Sequence, residues 1–141
     1  MSEPERCERA PDWPERLVAA VDLYRGGRFS WGVADCGTFF ADCVLFMTGF
    51  DPIADIRGYR DERSALKRLK AAGFDTVEAL VACRFPPVAP ALAQRGDLGY
   101  PAGAHDRLMS PAVITGSQAH AMTPDGMTVF SRSLIIRAWA V

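Results

Sequence analysis

The chain has 141 residues, 49% of them apolar and 23% charged, the length and balance of one globular domain that buries roughly two-thirds of its unfolded surface. Sixteen Lys and Arg stand against seventeen Asp and Glu, a formal net charge of −1. This balance argues against general nucleic-acid or polybasic membrane binding, which needs a clustered positive excess. Four cysteines and two histidines confine any imidazole-dependent chemistry to His105 and His120.

The first ten residues are polar and charged where a secretory signal would be apolar. Residues 1–12 are expected to form a disordered polar tail carrying Cys7, and 13–141 a single domain without repeat or linker. Trp13, Leu17, Ala20, Val21 and Tyr24 make a helical stripe over 13–24 that Gly26-Gly27 ends. No strand precedes this glycine pair, so it is not a dinucleotide or phosphate loop, and no cofactor is expected. Asp35 is placed to cap a second helix over 36–48, with Gly49 as its stop. Only Thr38 and Asp42 are strongly polar within it. A helix apolar on nearly every side belongs in the middle of a core. Its apolar run at 43–47 is far too short to span a membrane.

A charged helix over 61–72 should turn Leu66 and Leu69 inward. Asp75 and Glu78 then have the spacing of a capping box for a short helix reaching Cys83, expected in the core like Cys43. Three prolines between 86 and 90 end the helical regime. Short strands are expected over 98–100, 112–115, 118–123, 127–130 and 134–141, with turns at Gly116-Ser117 and Pro124-Asp125-Gly126. Helices followed by an antiparallel meander define an α+β domain.

The chemistry-bearing segment is 29–37, FSWGVADCG. A cysteine in the first turn of a helix meets unpaired N–H groups and the positive end of the helix dipole, both of which favour the thiolate. Gly37 leaves space beside the sulfur for an oxyanion. Asp35 next door acts the other way. Most free cysteines are small core residues, so position alone leaves catalysis and packing both open at Cys36. No spacing of Cys and His suggests a metal site.

Trp31-Gly32 followed by Asp35-Cys36 at the start of a buried helix resembles the nucleophile segment of the NlpC-type cell-wall peptidases, which are papain-like cysteine peptidases. Gly96-Asp97-Leu98 resembles the turn that opens their first core strand, and the run 112–116, AVITG, resembles their next strand and its glycine turn. The resemblance spans 13–141. It implies an α+β papain-like fold and a thiolate at Cys36 attacking an amide of peptidoglycan stem peptide, with Trp31, Asp35 and Gly37 around the substrate. With the closing run RAWAV at 137–141, it further implies a phage- or prophage-encoded member, made in the bacterial cytoplasm and assembled with other tail proteins into a virion.

One departure follows. The superfamily histidine stands six residues before the hairpin glycine, and counting back from Gly116 gives Ser110. A serine cannot accept a proton at neutral pH as imidazole does. His120, on the following strand, and His105, in the loop beside Asp106, are the remaining candidates for a base. The other reading is a structural domain that kept the fold and lost the base.

Overall fold

The computed structural model describes residues 4–103 and 106–141. His105 lies outside the described residues. Four α-helices come first: α1 (Trp13–Tyr24), α2 (Cys36–Thr48), α3 (Glu62–Ala71) and α4 (Val77–Arg84). Six strands follow: β1 (Pro87–Val88), β2 (Leu98–Pro101), β3 (Ala112–Ile114), β4 (Gln118–Thr123), β5 (Gly126–Ser131) and β6 (Ile135–Trp139). They form one antiparallel sheet in the order β1-β6-β2-β3-β4-β5. The helices pack against it, in the α+β arrangement expected.

The apolar helix α2 lies where its composition sends it. Phe39, Phe40, Ala41, Cys43, Val44 and Met47 are fully buried, packed between α1 and the sheet residues Leu98, Val113 and Met122. Its N-terminus is fixed by a complete capping box: the Asp35 carboxylate accepts from Thr38 N at 2.8 Å, and Thr38 Oγ1 accepts from Asp35 N at 2.9 Å. Gly49 ends it in the left-handed conformation, φ 80°. Arg57 bonds Asp42 of α2 and Asp51, both at 2.7 Å, and so holds the connecting segment 50–58 against the helix.

Several local expectations are corrected. Ala65, not Leu66, joins Leu69 as the buried pair of α3. Thr76, not Asp75, caps α4 by accepting from Ala79 N at 3.0 Å. Val77, Leu80 and Val81 form the buried stripe of that helix, which leaves Cys83 off the stripe and exposed. The proline segment contributes a two-residue edge strand, β1, because an edge tolerates a missing N–H donor. The segment before α1 is anchored: Arg9 binds the buried Asp97 at 2.9 Å, Ala10 N donates to Met47 O, and Cys7 packs partly buried on the core. Among the described residues no helix is long and apolar enough to cross a membrane.

Candidate active site

Cys36 opens α2 with its sulfur turned toward the segment that leads into β3. Its Sγ donates to Leu108 O at 3.6 Å, and Ser110 stands beside it. The residue reached by counting back from the hairpin glycine therefore lies beside Cys36 in the fold, and it carries a hydroxyl. Ser110 is 6% exposed, its hydroxyl buried against the Cys36 sulfur.

The surroundings decide the protonation of the thiol. Burial, the largest influence, pushes the Cys36 pKa up; the adjacent Ser110 hydroxyl works against this, the Asp35 charge adds to it, and backbone N–H groups of Ser110 and Gly37 favour the thiolate in smaller measure. The helix-start advantage is thus outweighed by desolvation.

Asp35 and Gly37 serve this geometry structurally. The Asp35 carboxylate is 1% exposed and accepts from Gly32 N (2.7 Å), Thr38 N (2.8 Å) and Tyr59 Oη (2.8 Å). Its oxygens are committed to holding the 30–35 turn, the helix start and the 59 region together. Gly32 has φ 78°, and a Cβ there would collide with the Tyr59 carbonyl. A Cβ on Gly37 would come within 3.1 Å of Tyr59 Oη and 3.3 Å of Asp35 Oδ1. Trp31 packs edge-to-face on both Phe29 and Tyr59, with centroids 5.2 and 6.4 Å apart.

The structure brings together Trp31, Asp35, Cys36 and Gly37, with Ser110 and Tyr59, around one cavity. His120 stands elsewhere. It lines a separate cleft with Leu17, Val21, Asp22 and Arg25, its Nδ1 2.8 Å from Thr115 Oγ1. Burial first, and the Arg25 charge second, push its pKa down. His120 is absent from the residues lining either void at Cys36, so the expectation that it serves as base there does not fit its place on β4. Asp97, considered as an orienter of a base, is instead taken up by Arg9, Gln94 N and Val141 N.

Sequence reasoning missed the apolar wall behind the sulfur, formed by Ile53, Ile56, Val77 and Leu80. The signal was present in α2, whose all-round apolarity requires cover at its N-terminal end too. Among the described residues no group of three Cys, His, Asp or Glu is arranged to hold a metal ion.

Comparison with known proteins agrees on the architecture. The structure matches the crystal structure of the NlpC/p60 domain of the peptidoglycan hydrolase SagA with a TM-score of 0.54 at 20% identity, over 91% of this chain and 98% of that one. The likeness establishes the papain-like NlpC/p60 fold. No curated protein matches the sequence. A family model covers nearly the whole domain, residues 8–141, and the chain belongs to that family, described as a domain of unknown function, DUF6950.

Proposed function

We propose that this chain is a non-hydrolysing member of the NlpC/p60 fold, in which the nucleophile cleft is kept as a binding site for peptides of the peptidoglycan stem class. The observation that carries the reading is the Ser110 hydroxyl buried beside Cys36, at the position where the resemblance puts the imidazole of the base. A cysteine peptidase needs a base within hydrogen-bond reach of its sulfur, both to draw off the proton and to return it to the leaving amine. A serine does neither at neutral pH.

The sequence resemblance supports a phage- or prophage-encoded tail component, in which such a domain contacts the cell wall and other tail proteins without cutting. Incubation of the chain with muropeptides between pH 6 and 8, followed by mass spectrometry, tests the reading. Peptide binding is expected with no cleavage above that of Cys36→Ala. Cleavage that depends on Cys36 overturns it.

A hydrolytic reading is favoured by one observation: Asp106 lines the cleft in front of Cys36, and its chain neighbour is His105. On that reading His105 is the base, and His105→Ala abolishes a cleavage that the unmodified chain performs.

A further inference from the structure

The two edges of the sheet are built differently. On one side β1 ends it with two residues and a proline, the short, donor-poor form that discourages a further strand. On the other side β5 ends it with six residues, 126–131, GMTVFS, which contain no charged residue and no proline. This strand pairs with β4 in unbroken register, from Thr123 opposite Gly126 to Gln118 opposite Ser131, so no bulge turns the edge away from a newcomer. Thr128 and Val129 in its middle are exposed, Val129 to 44%.

The ladder fixes which backbone groups of β5 face outward. Arg132 N donates to Ser117 O at 3.1 Å, so 117 and 132 form a hydrogen-bonded pair. Bonded and non-bonded pairs alternate along an antiparallel ladder, and Phe130, Thr128 and Gly126 therefore spend their N–H and C=O on β4. The far side of β4 gives the same phase: Thr115 N donates to Gln118 O at 2.9 Å, so Gln118 and His120 bond toward β3 and not toward Ser131 and Val129. The N–H and C=O of Met127 and Val129, and the N–H of Ser131, point away from the sheet. Opposite charges frame the strand. Asp125 lies in the exposed turn before it, and Arg132 follows it, its guanidinium donating to the carbonyls of Pro90 and Ala93, which leave its charge in place.

We infer that this edge is an interface between two copies of the chain, β5 pairing antiparallel with its own counterpart about a two-fold axis at Val129. Val129 then exchanges both backbone bonds with Val129 of the second copy, and each Ser131 N–H meets the Met127 carbonyl opposite. Two six-stranded sheets become one, in a self-complementary contact that closes at two copies. The antiparallel sense brings Asp125 of each copy beside Arg132 of the other, whereas a parallel pairing sets like charges together. Within 126–131 there is no charge to repel its counterpart at the centre. One strand pair buries less than the roughly 1,200 Å² of a stable standard interface, so the association is weak and depends on concentration. It makes no use of the Cys36 cleft and stands apart from the reading of that site.

Sedimentation equilibrium of the full chain from about 10 μM to about 1 mM tests the inference, and the average mass should rise from monomer toward dimer with a midpoint near ~100 μM. Amide exchange read by NMR locates the contact. The Val129 and Ser131 N–H groups should exchange several-fold more slowly in the concentrated sample, while Thr128 and Phe130, already bonded to β4, stay slow in both. Val129→Pro removes a donor that β4 does not use and should give a folded monomer at every concentration. Val129→Lys sets like charges across the axis and should also give a monomer at low salt, with some dimer returning as salt rises. Near-UV circular dichroism shows that each variant is folded, and if the proline variant is not, the lysine variant decides. A chain that stays monomeric throughout, a dimer that survives in folded Val129→Lys at low salt, or a dimer that leaves Val129 exchange unchanged each overturns the inference.

Discussion

A cysteine at a helix start is ordinarily an acidified one, because the dipole and the free N–H groups of the first turn both prefer the anion. Cys36 occupies that position, yet burial in an apolar pocket acts more strongly and in the opposite direction. The sign determines its reactivity. A raised pKa keeps the thiol protonated through neutrality, and the nucleophilic form appears only as pH rises past the ordinary thiol range. Exposed Cys83 provides a comparison within the same chain. With iodoacetamide at about pH 7, peptide mapping should show Cys83 modified well before Cys36, and the Cys36 rate should climb steadily above about pH 9. Faster labelling of Cys36 than Cys83 at neutral pH would restore an activated thiolate and with it the case for catalysis. That Ser110 faces this sulfur was legible from the sequence as a count of residues from a glycine turn. That burial wins over the dipole was not, because the apolar wall comes from Ile53, Ile56, Val77 and Leu80, which lie far away along the chain.

At the level of elements, the N-terminus of α2 holds the site in shape. The Asp35 carboxylate joins three pieces of chain, and each loses a partner if it is removed. Asp35→Ala deletes a helix cap, worth about 1 kcal/mol, and leaves Gly32 N and Tyr59 Oη without their acceptor at roughly 1–3 kcal/mol each. A loss of about 3–5 kcal/mol in urea unfolding is expected once part of that is relieved by water. Asp35→Asn should recover some of it by keeping one acceptor oxygen, and Tyr59→Phe should cost about 1 kcal/mol. A cost for Asp35→Ala no greater than for Tyr59→Phe would show that the carboxylate is not the junction its contacts describe. Helices α1 and α2 were readable to the residue because stripe and glycine stop coincide in both, and α2 has its cap as well. The start of α4 was misread because Asp75 and Thr76 are both competent caps, and only tertiary packing, which buries Val77, selects between them. Strand β1 was invisible because its proline reads as a break, and its two residues pair only with β6, some fifty positions later.

Across the whole molecule, one buried carboxylate ties the beginning of the chain to its end. Asp97 is fully buried at the start of β2. Its Oδ1 accepts from Arg9 at 2.9 Å and from Val141 N at 2.9 Å, and its Oδ2 accepts from Gln94 N at 2.7 Å and faces Arg6 at 3.4 Å. Arg9 also donates to Val141 O and Arg95 O. The segment expected to be a loose tail is therefore clasped to the strand pair at the centre of the sheet. Composition could not reveal this, because the partner of Arg9 lies 88 positions away. The connection reaches the site as well, since Tyr100, on the same strand as Leu98, donates to Met109 O next to Ser110. Asp97→Asn keeps the volume but turns an amide donor toward donors already present and leaves the Arg9 charge without its counterion. Breaking such a buried pair from one side costs about 3–5 kcal/mol. Arg9→Ala should cost less, because Asp97 would retain Arg6 and two backbone donors. Equilibrium unfolding of the two variants checks the order. If Arg9→Ala proves as damaging as Asp97→Asn, the arginine rather than the carboxylate is the centre of the clasp. In either case, loosening it should broaden the amide signals of β6 and β2 before those of α2, whose own cap and core contacts do not pass through Asp97.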